Sequence, residues 1–468
     1  MSEAPSATPL RRELGLLDST FLAAGIIVGS GIFMTTGIMA SGLPSAPLLL
    51  LAWAVGGLLT LAGALTVSEL GAAMPEAGGQ YVYLREAYGP LPAFLFGWLT
   101  LLVYQPGSIS AVAAGFGAYL GYFVPALGTD NILAAVSIHG HSLSLSAGQL
   151  VAAATIVGLT ALNVRGVRVG STVQNVLTLL KLAALGGFVV LGFTVGTGKA
   201  SSSPTPGGIA SAPTLAGFGV ALVAVLWAYD GWINLTFSAG EIRDPARNLP
   251  RGLFLSTAIV TVAYLLVNAA YVRALPISEM QGVTRIAEKA ATALFGPTGA
   301  SLIAVAVALS TLGATHGTIL TGARVNYAMA KDRLFFSSAA AVHPRFRTPH
   351  LSLWWQGAWS ALLVLSGTFD QLFTFAMFAA ILMYAAATAA VFTLRRKRPD
   401  LPRPYRTWGY PWMPLAYLGA LLLLAGNTLS ERPVESLAGL GLLALGVPVY
   451  RYWRGQAKRS VDSVPLSG

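Results

Sequence analysis

Apolar positions group into twelve stretches joined by short polar connections, covering residues 16–42, 46–72, 89–124, 147–164, 171–196, 214–240, 251–275, 290–330, 351–367, 369–394, 411–427 and 434–450. A helix rising ~1.5 Å per residue needs ~20 apolar residues to cross hydrocarbon. The pattern therefore predicts twelve membrane-spanning helices. The third and eighth stretches are long, which predicts strong tilt or an extra turn outside the bilayer. Ahead of the first stretch no short apolar region precedes a small-residue cleavage site, so no signal peptide is expected.

Two stretches are interrupted at mid-membrane depth. The first contains FLAAGIIVGSGIFMTTG, residues 21–37, with Gly29, Ser30 and Gly31 in succession. Glycine lets the backbone leave the helical basin and lets other groups approach main-chain atoms. In hydrocarbon an unwound backbone survives only where it is buried in protein or lines a wet cavity. A break here leaves the amides of Ser30, Gly31 and Ile32 at the start of an outer half-helix, where partial positive charge suits a carboxylate. The plainer alternative is a small-residue face for close helix packing. On the binding reading, a β-branched residue at Gly31 would obstruct main-chain donation and leave the fold intact.

The sixth stretch is interrupted at WAYDGW, Trp227 to Trp232, by an acid and a glycine. The first five stretches and the next five are offset by a nearly constant spacing of roughly 200 residues, which suggests a repeat. Five is odd, so the second unit enters from the opposite face and the repeats are inverted. The matching breaks are what such a repeat requires, and they point to a site at the midplane. The expected organisation is a tail over 1–13, a first repeat over 14–198, a second over 199–396, two further helices over 397–453, and a tail over 454–468. Asp230 either contacts a ligand or accepts hydrogen bonds from freed backbone amides, since an intramembrane carboxylate needs a partner. Trp232 reads as packing.

Composition agrees with a polytopic all-α membrane protein: 55% of the 468 residues are hydrophobic, 10% are charged, and mean hydropathy is +0.67. No polar stretch is long enough to fold a soluble domain. Cysteine is absent, which removes disulfides, thiolate metal sites and cysteine nucleophiles; no cofactor or metal is implied. The net charge of +11 reads as topology. Arg11 and Arg12, Arg85, Arg165 and Arg168, Arg243 to Arg251, Lys331 to Arg347, the run RRKRPDLPRPYR and Arg451 to Arg459 fall on one side. The other side holds only Lys199, Arg273, Arg285, Lys289 and Arg432. The basic side is expected to be cytoplasmic, with both termini on it, facing anionic lipid and not nucleic acid.

With these residues in view, GIIVGSGIF and WAYDGW resemble the first and sixth helices of the L-type amino acid transporters, within the amino acid–polyamine–organocation superfamily. SELGAAMPEAGGQYVYLREAYGPLPAFLFGW, EIRDPARNLPRG and RRKRPDLPRPYRTWGYP agree, so the resemblance covers most of residues 14–411. It implies the five-plus-five inverted repeat plus two helices. It also implies that the Ser30 and Gly31 amides hold a substrate carboxylate, that the carbonyls of Ile27 and Trp227 receive the ammonium group, and that the Trp227 ring is the gate. Eukaryotic members are linked through a cysteine to a single-pass glycoprotein. With no cysteine, a stand-alone carrier of bacterial type is expected, with no disulfide-linked heavy chain.

Lys181 lies ten residues into the fifth stretch, ~15 Å along the helix axis, too deep to snorkel readily. A cation there would repel sodium, and the resemblance places it where sodium-coupled relatives bind their ion. A lysine in apolar surroundings also leaves room for proton coupling. Ser310, Thr311, Thr315 and Thr318 are candidate hydroxyl partners for it, although such residues often bond only their own helix. Glu69, Glu241 and Arg324 read as helix-end or interface charges, and His316 as a hydrogen-bonded core histidine.

A membrane-embedded enzyme would cluster acids, His or Arg at one face, and the acids here are scattered. A channel would need a continuous polar route. A sensor built on the same fold is separated from a carrier by uptake into vesicles. The expected function is sodium-independent transport of amino acids across the cell membrane, as an alternating-access exchanger of neutral L-amino acids. The alternatives are proton-coupled uptake or a cationic amino acid carrier using Asp230.

Overall fold

The computed structural model describes residues 10–43, 45–138, 141–196, 215–366 and 369–462. Outside them lie most of the expected N-terminal tail, the expected repeat boundary at 198–199 with Lys199, the expected limits at 214 and 367, and the last six residues. The chain is almost wholly helical. The first apolar stretch forms α1 (Leu16–Ile27) and α2 (Gly31–Ala40), followed by α3 (Ala46–Ala73) and a short α4 (Gln80–Tyr88). The third forms α5 (Pro90–Leu99) and α6 (Gln105–Phe123), joined by a π-turn over Thr100–Tyr104. After α7 (Ala147–Val164) and α8 (Val167–Thr194), the sixth stretch gives α9 (Leu215–Tyr229) and the single turn α10 (Asn234–Phe237). Then come α11 (Pro245–Ala274), α12 (Ile277–Met280), α13 (Ile286–Lys331), α14 (His350–Val364), α15 (Phe369–Lys397), α16 (Trp412–Glu431) and α17 (Pro433–Asp462).

Among the described residues nine helical segments are long and apolar enough to cross a membrane, and Gly217–Tyr229 is a shorter apolar helix. The remaining expected stretches are present as α14, of 15 residues, and α17. Both long stretches are irregular. In α13 the chain leaves helical geometry at Gly296, φ 72°, ahead of Pro297, so the residues before it form a separate short helix. In the third stretch Pro106 cannot donate to the carbonyl of Leu102. The π-turn absorbs the mismatch, and the Trp359 indole N–H takes that carbonyl at 3.0 Å.

Two departures concern chain ends and connections. The all-α expectation misses an antiparallel hairpin, β1 (Ile132–Ile138) with β2 (His141–Ser146), between α6 and α7. Its second strand reads HSLSLS, a period-two alternation that a membrane-length window overlooks. Ser146 then caps α7: its hydroxyl accepts from the Gln149 amide at 3.3 Å while the Gln149 side chain accepts from the Ser146 amide at 2.7 Å. At the other end, α17 continues through most of the stretch expected as a tail, because nothing from Arg451 to Asp462 stops a helix.

The broken first stretch sits at the centre. Its apolar part is 89% buried, against 28% for α8. α1 packs on α8, α11 and α13, and α2 packs on α9. Small residues permit this: a Cβ at Gly25 would lie 2.1 Å from Gln174 and Thr178, and one at Gly317 would lie 2.6 Å from Ile26.

Glu69, Glu241 and Arg324 are not interface charges. Glu241 and Arg324 are 1% and 0% exposed and form a two-pronged pair at 2.8 and 2.9 Å. Glu69 is 1% exposed and accepts from Arg395 at 2.8 and 2.6 Å and from the Thr407 amide at 2.8 Å, with Arg403 at 3.4 Å. The segment SELG is thereby fastened to RRKRPDLPRPYRT, two motifs more than 300 positions apart. Neither acid reaches water because a guanidinium fork meets it inside the protein.

A buried carboxylate left without its partner is costly. Arg324→Met should lower stability by about 3–5 kcal/mol, and adding Glu241→Gln should recover most of the loss. Thermal unfolding of detergent-purified protein measures both; a wild-type melting point for Arg324→Met would refute the pairing.

Candidate functional site

The helix breaks meet each other. Between α1 and α2 the chain turns at Val28, Gly29 and Ser30, with the Val28 amide on Ala24 O at 2.9 Å and the Gly29 amide on Ile27 O at 2.8 Å. Among the described residues the amides of Ser30, Gly31 and Ile32, at the start of α2, take no main-chain acceptor. Between α9 and α10, the Asp230 amide turns back to Trp227 O at 3.0 Å, and Gly231 adopts φ 100°. A side chain at Gly231 would also strike Ile26, 2.4 Å from its Cγ2. The Tyr264 hydroxyl of α11 stands between the breaks, 2.9 Å from Ile27 O and 3.0 Å from Ala228 O.

Between them lies a cavity of about 30 Å³, lined by Ile26, Ile27, Ser30, Gly31, Ser108, Trp227 and Asp230 among others. That is room for about two waters, so walls must shift to admit a larger molecule. The structure thus brings Ile27, Ser30, Gly31, Trp227 and Asp230 to one cavity. Ile32 is fully buried one residue further along α2. The hydroxyls of Ser30 and Ser108 have no hydrogen-bond partner among the described residues. The first break contributes Ile27, Ser30 and Gly31 to this lining, and the second contributes Trp227 and the acid Asp230. The Ile27 carbonyl already accepts from Gly29 and Tyr264, and it becomes available when Tyr264 donates to Ala228 instead.

Gly31 corrects one expectation. A Cβ there would lie 2.5 Å from the Ala228 Cα, so a branched side chain would wedge the breaks apart before it obstructed any ligand. The close-packing reading of this glycine holds as a matter of geometry.

Asp230 is held by side chains of neighbouring helices. Its Oδ1 accepts from Tyr384 of α15 and, at 3.2 Å, from Tyr104 at the end of the π-turn. The two tyrosine hydroxyls lie 3.0 Å apart, and Asn234 Oδ1 accepts from Gln105 at 3.3 Å and lies 3.4 Å from the Tyr104 hydroxyl. Trp232 is buried and its ring lies 5.3 Å from that of Tyr384, as packing requires. Tyr104, Tyr264 and Tyr384 went unread in the sequence. The available signal was Pro106 beside Tyr104 and Gln105, which marks a third irregularity at mid-span.

Lys181 is 1% exposed and lies against the end of α1. Its ammonium donates to the carbonyls of Gly25 at 2.7 Å, Val28 at 2.8 Å and Ser310 at 3.0 Å. Three donors meet three acceptors. The hydroxyl cluster does not serve it. Thr311, Thr315 and Thr318 bond their own helix, and Ser310 Oγ donates to Val28 O at 2.8 Å. The reason is local: a helical threonine reaches the carbonyl four residues back more easily than a neighbour. His316 is a buried core histidine, its Nδ1 3.1 Å from Gln174 Oε1.

The amino acid permease family model matches residues 14–430. The chain is 33% identical over 446 residues to the serine/threonine exchanger SteT of Bacillus subtilis (strain 168), covering 94% of this chain and 96% of that protein. It is 31% identical over 447 residues to the b(0,+)-type amino acid transporter 1 of Mus musculus, covering 95% and 88%. It is 30% identical over 465 residues to the large neutral amino acids transporter small subunit 2 of Homo sapiens, covering 98% and 84%.

The contact between the breaks predicts unequal tolerance at two neighbouring glycines. Gly31→Ala should destabilise the protein by about 1–3 kcal/mol through overpacking. Gly29→Ala, whose methyl would lie 3.3 Å from the Ala314 Cβ, should cost clearly less. Equal melting points for the two variants would contradict this packing.

Proposed function

The chain belongs to the amino acid permease family, in its stand-alone L-type amino acid transporter branch, and on that footing we propose that it is a sodium-independent exchanger of neutral L-amino acids working by alternating access. It is a multi-pass membrane protein and not an enzyme. The supporting observation is the facing pair of helix breaks. The amides of Ser30, Gly31 and Ile32 suit a carboxylate, and the Ile27 and Trp227 carbonyls across the cavity suit an ammonium group. A zwitterion bridging them would displace the Tyr264 hydroxyl from Ile27 O. Trp227, a wall of the cavity, is the proposed gate.

The inverted repeats over 14–198 and 199–396, the twelve spans with two helices over 397–453, and cytoplasmic termini belong to the same proposal. The breaks in α1–α2 and α9–α10 and the one-sided basic residues support it. Residence in the cell membrane, with amino acids and lipid as partners and no disulfide-linked heavy chain, completes it.

Sodium independence rests on Lys181. A cation fixed among carbonyls of α1 and α13 supplies the charge that sodium would otherwise bring. Uptake into amino-acid-loaded vesicles should be equal in sodium and in choline and should fall to background in empty vesicles. Lys181→Ala should reduce turnover more than binding. Saturable sodium dependence would overturn the reading, and uptake into empty vesicles driven by a proton gradient would favour proton coupling.

A cationic substrate is the second reading, because Asp230 lines the cavity. The neutral reading is preferred, since the carboxylate is already engaged by Tyr104 and Tyr384. Asp230→Asn should then lower transport of every substrate by a similar factor. Strong competition by arginine that Asp230→Asn abolishes selectively would establish the cationic reading.

A further inference from the structure

A second cavity, of about 150 Å³, opens on the basic side between three segments distant in sequence. Arg11 comes from the chain ahead of α1, Arg165 and Arg168 from the α7–α8 junction, and Arg345 and Arg347 from the connection into α14. Glu13 is the one carboxylate in its lining. None of the five guanidinium groups makes an ion pair among the described residues; Arg345 lies only over the Phe346 ring, at 5.5 Å. The other arginines paired on this side have carboxylates close by, as Arg85 has Asp332 at 2.9 Å.

The walls are held in place by the backbone. Thr348 Oγ1 donates to Val164 O at 2.8 Å and ties the Arg345–Arg347 segment to the end of α7. Gly166 at φ 128° turns the chain directly into α8, so Arg165 and Arg168 flank that turn. Five arginines line this one small space, and guanidinium forks suit the oxygens of a phosphate.

The position of the cavity selects the source. Val169, itself in the lining, is 45% exposed, and Val176 and Leu180 continue along the same side of α8 at 53% and 48% exposure. The charged space therefore adjoins a helix face that meets hydrocarbon. We propose that this cavity binds the phosphate headgroup of an anionic phospholipid, with an acyl chain lying along α8. Basic pockets between membrane helices at this level suit such headgroups.

The occupant would also reach the transport machinery. The strand that carries Arg11 and Glu13 crosses the end of the sixth stretch. The Glu13 and Leu14 amides both donate to Glu241 O, at 2.8 and 3.0 Å, and the Arg243 amide donates to Leu14 O at 2.8 Å. A headgroup bridging Arg11 to Arg165 and Arg347 holds this strand against the buried Glu241–Arg324 pair. It thereby favours the conformation described here.

The test uses full-length protein in nanodiscs of phosphatidylcholine, with or without phosphatidylglycerol or cardiolipin. Bound lipid is read by native mass spectrometry and stability by thermal unfolding. Wild type should retain anionic lipid and melt at a higher temperature when it is present. Arg165→Gln/Arg347→Gln should melt like wild type in phosphatidylcholine alone, lose the shift, and retain anionic lipid at least about tenfold more weakly. Arg451→Gln/Arg454→Gln, which removes the same charge from α17, should keep both properties. Equal loss in the two double variants would mean diffuse surface attraction and overturn the site. So would the same stabilisation from inorganic phosphate added to phosphatidylcholine discs, since the source would then be a solute. Substrate uptake is a separate readout, so failure of the lipid site leaves the transport reading standing.

Discussion

Unwinding a helix inside a membrane leaves main-chain groups that water cannot reach, and most of this architecture follows from satisfying them. Two side chains do much of that work. Lys181 takes carbonyls at the end of α1 and one from α13, and Tyr264 reaches carbonyls on both breaks. Each is polar, deeply placed and supported from more than one helix. The groups left over are the amides at the start of α2, where Ser30 and Gly31 line the cavity. A backbone donor stranded in hydrocarbon costs several kcal/mol, so leaving such donors unpaired beside a cavity is a condition that a ligand can relieve.

The basic side follows a related rule with different chemistry. Its buried acids, Glu69 and Glu241, are each answered by an arginine from a remote part of the chain. Such pairs add little net stability over apolar packing, but they penalise any arrangement that separates the partners. They tie α3 to α15 and the segment after α10 to α13 on the side where the N-terminal strand also crosses. Opening the cavity toward that side must either move these pairs as units or part them.

What was legible in the sequence was whatever a local pattern encodes. Gly29 to Gly31 and WAYDGW marked the two breaks, and the ends of most helices fall within a few residues of the apolar stretches. Lys181 was legible because a charge so far from an interface has few explanations. The remainder depended on which side chains meet across the fold. Nothing near Glu69 in sequence points to Arg395, and nothing near Asp230 points to Tyr384. The three acids and bases that seemed to mark helix ends were buried because their partners arrive from elsewhere. The hairpin was missed for a different reason: a window suited to spanning helices averages away the alternation in HSLSLS.

The π-turn at Thr100–Tyr104 has a consequence beyond accommodating Pro106. It places one more residue in the third span than α-helical winding would require, and each residue advances the helix by about 100°. Everything beyond it is therefore phased differently from Pro90–Leu99. Tyr104 and Gln105 face Asp230 and Asn234 only because of that added residue. The site is thus sensitive to residue count as well as residue identity. Removing one position from this turn would conserve every participating side chain and still point Tyr104 away from the acid it holds.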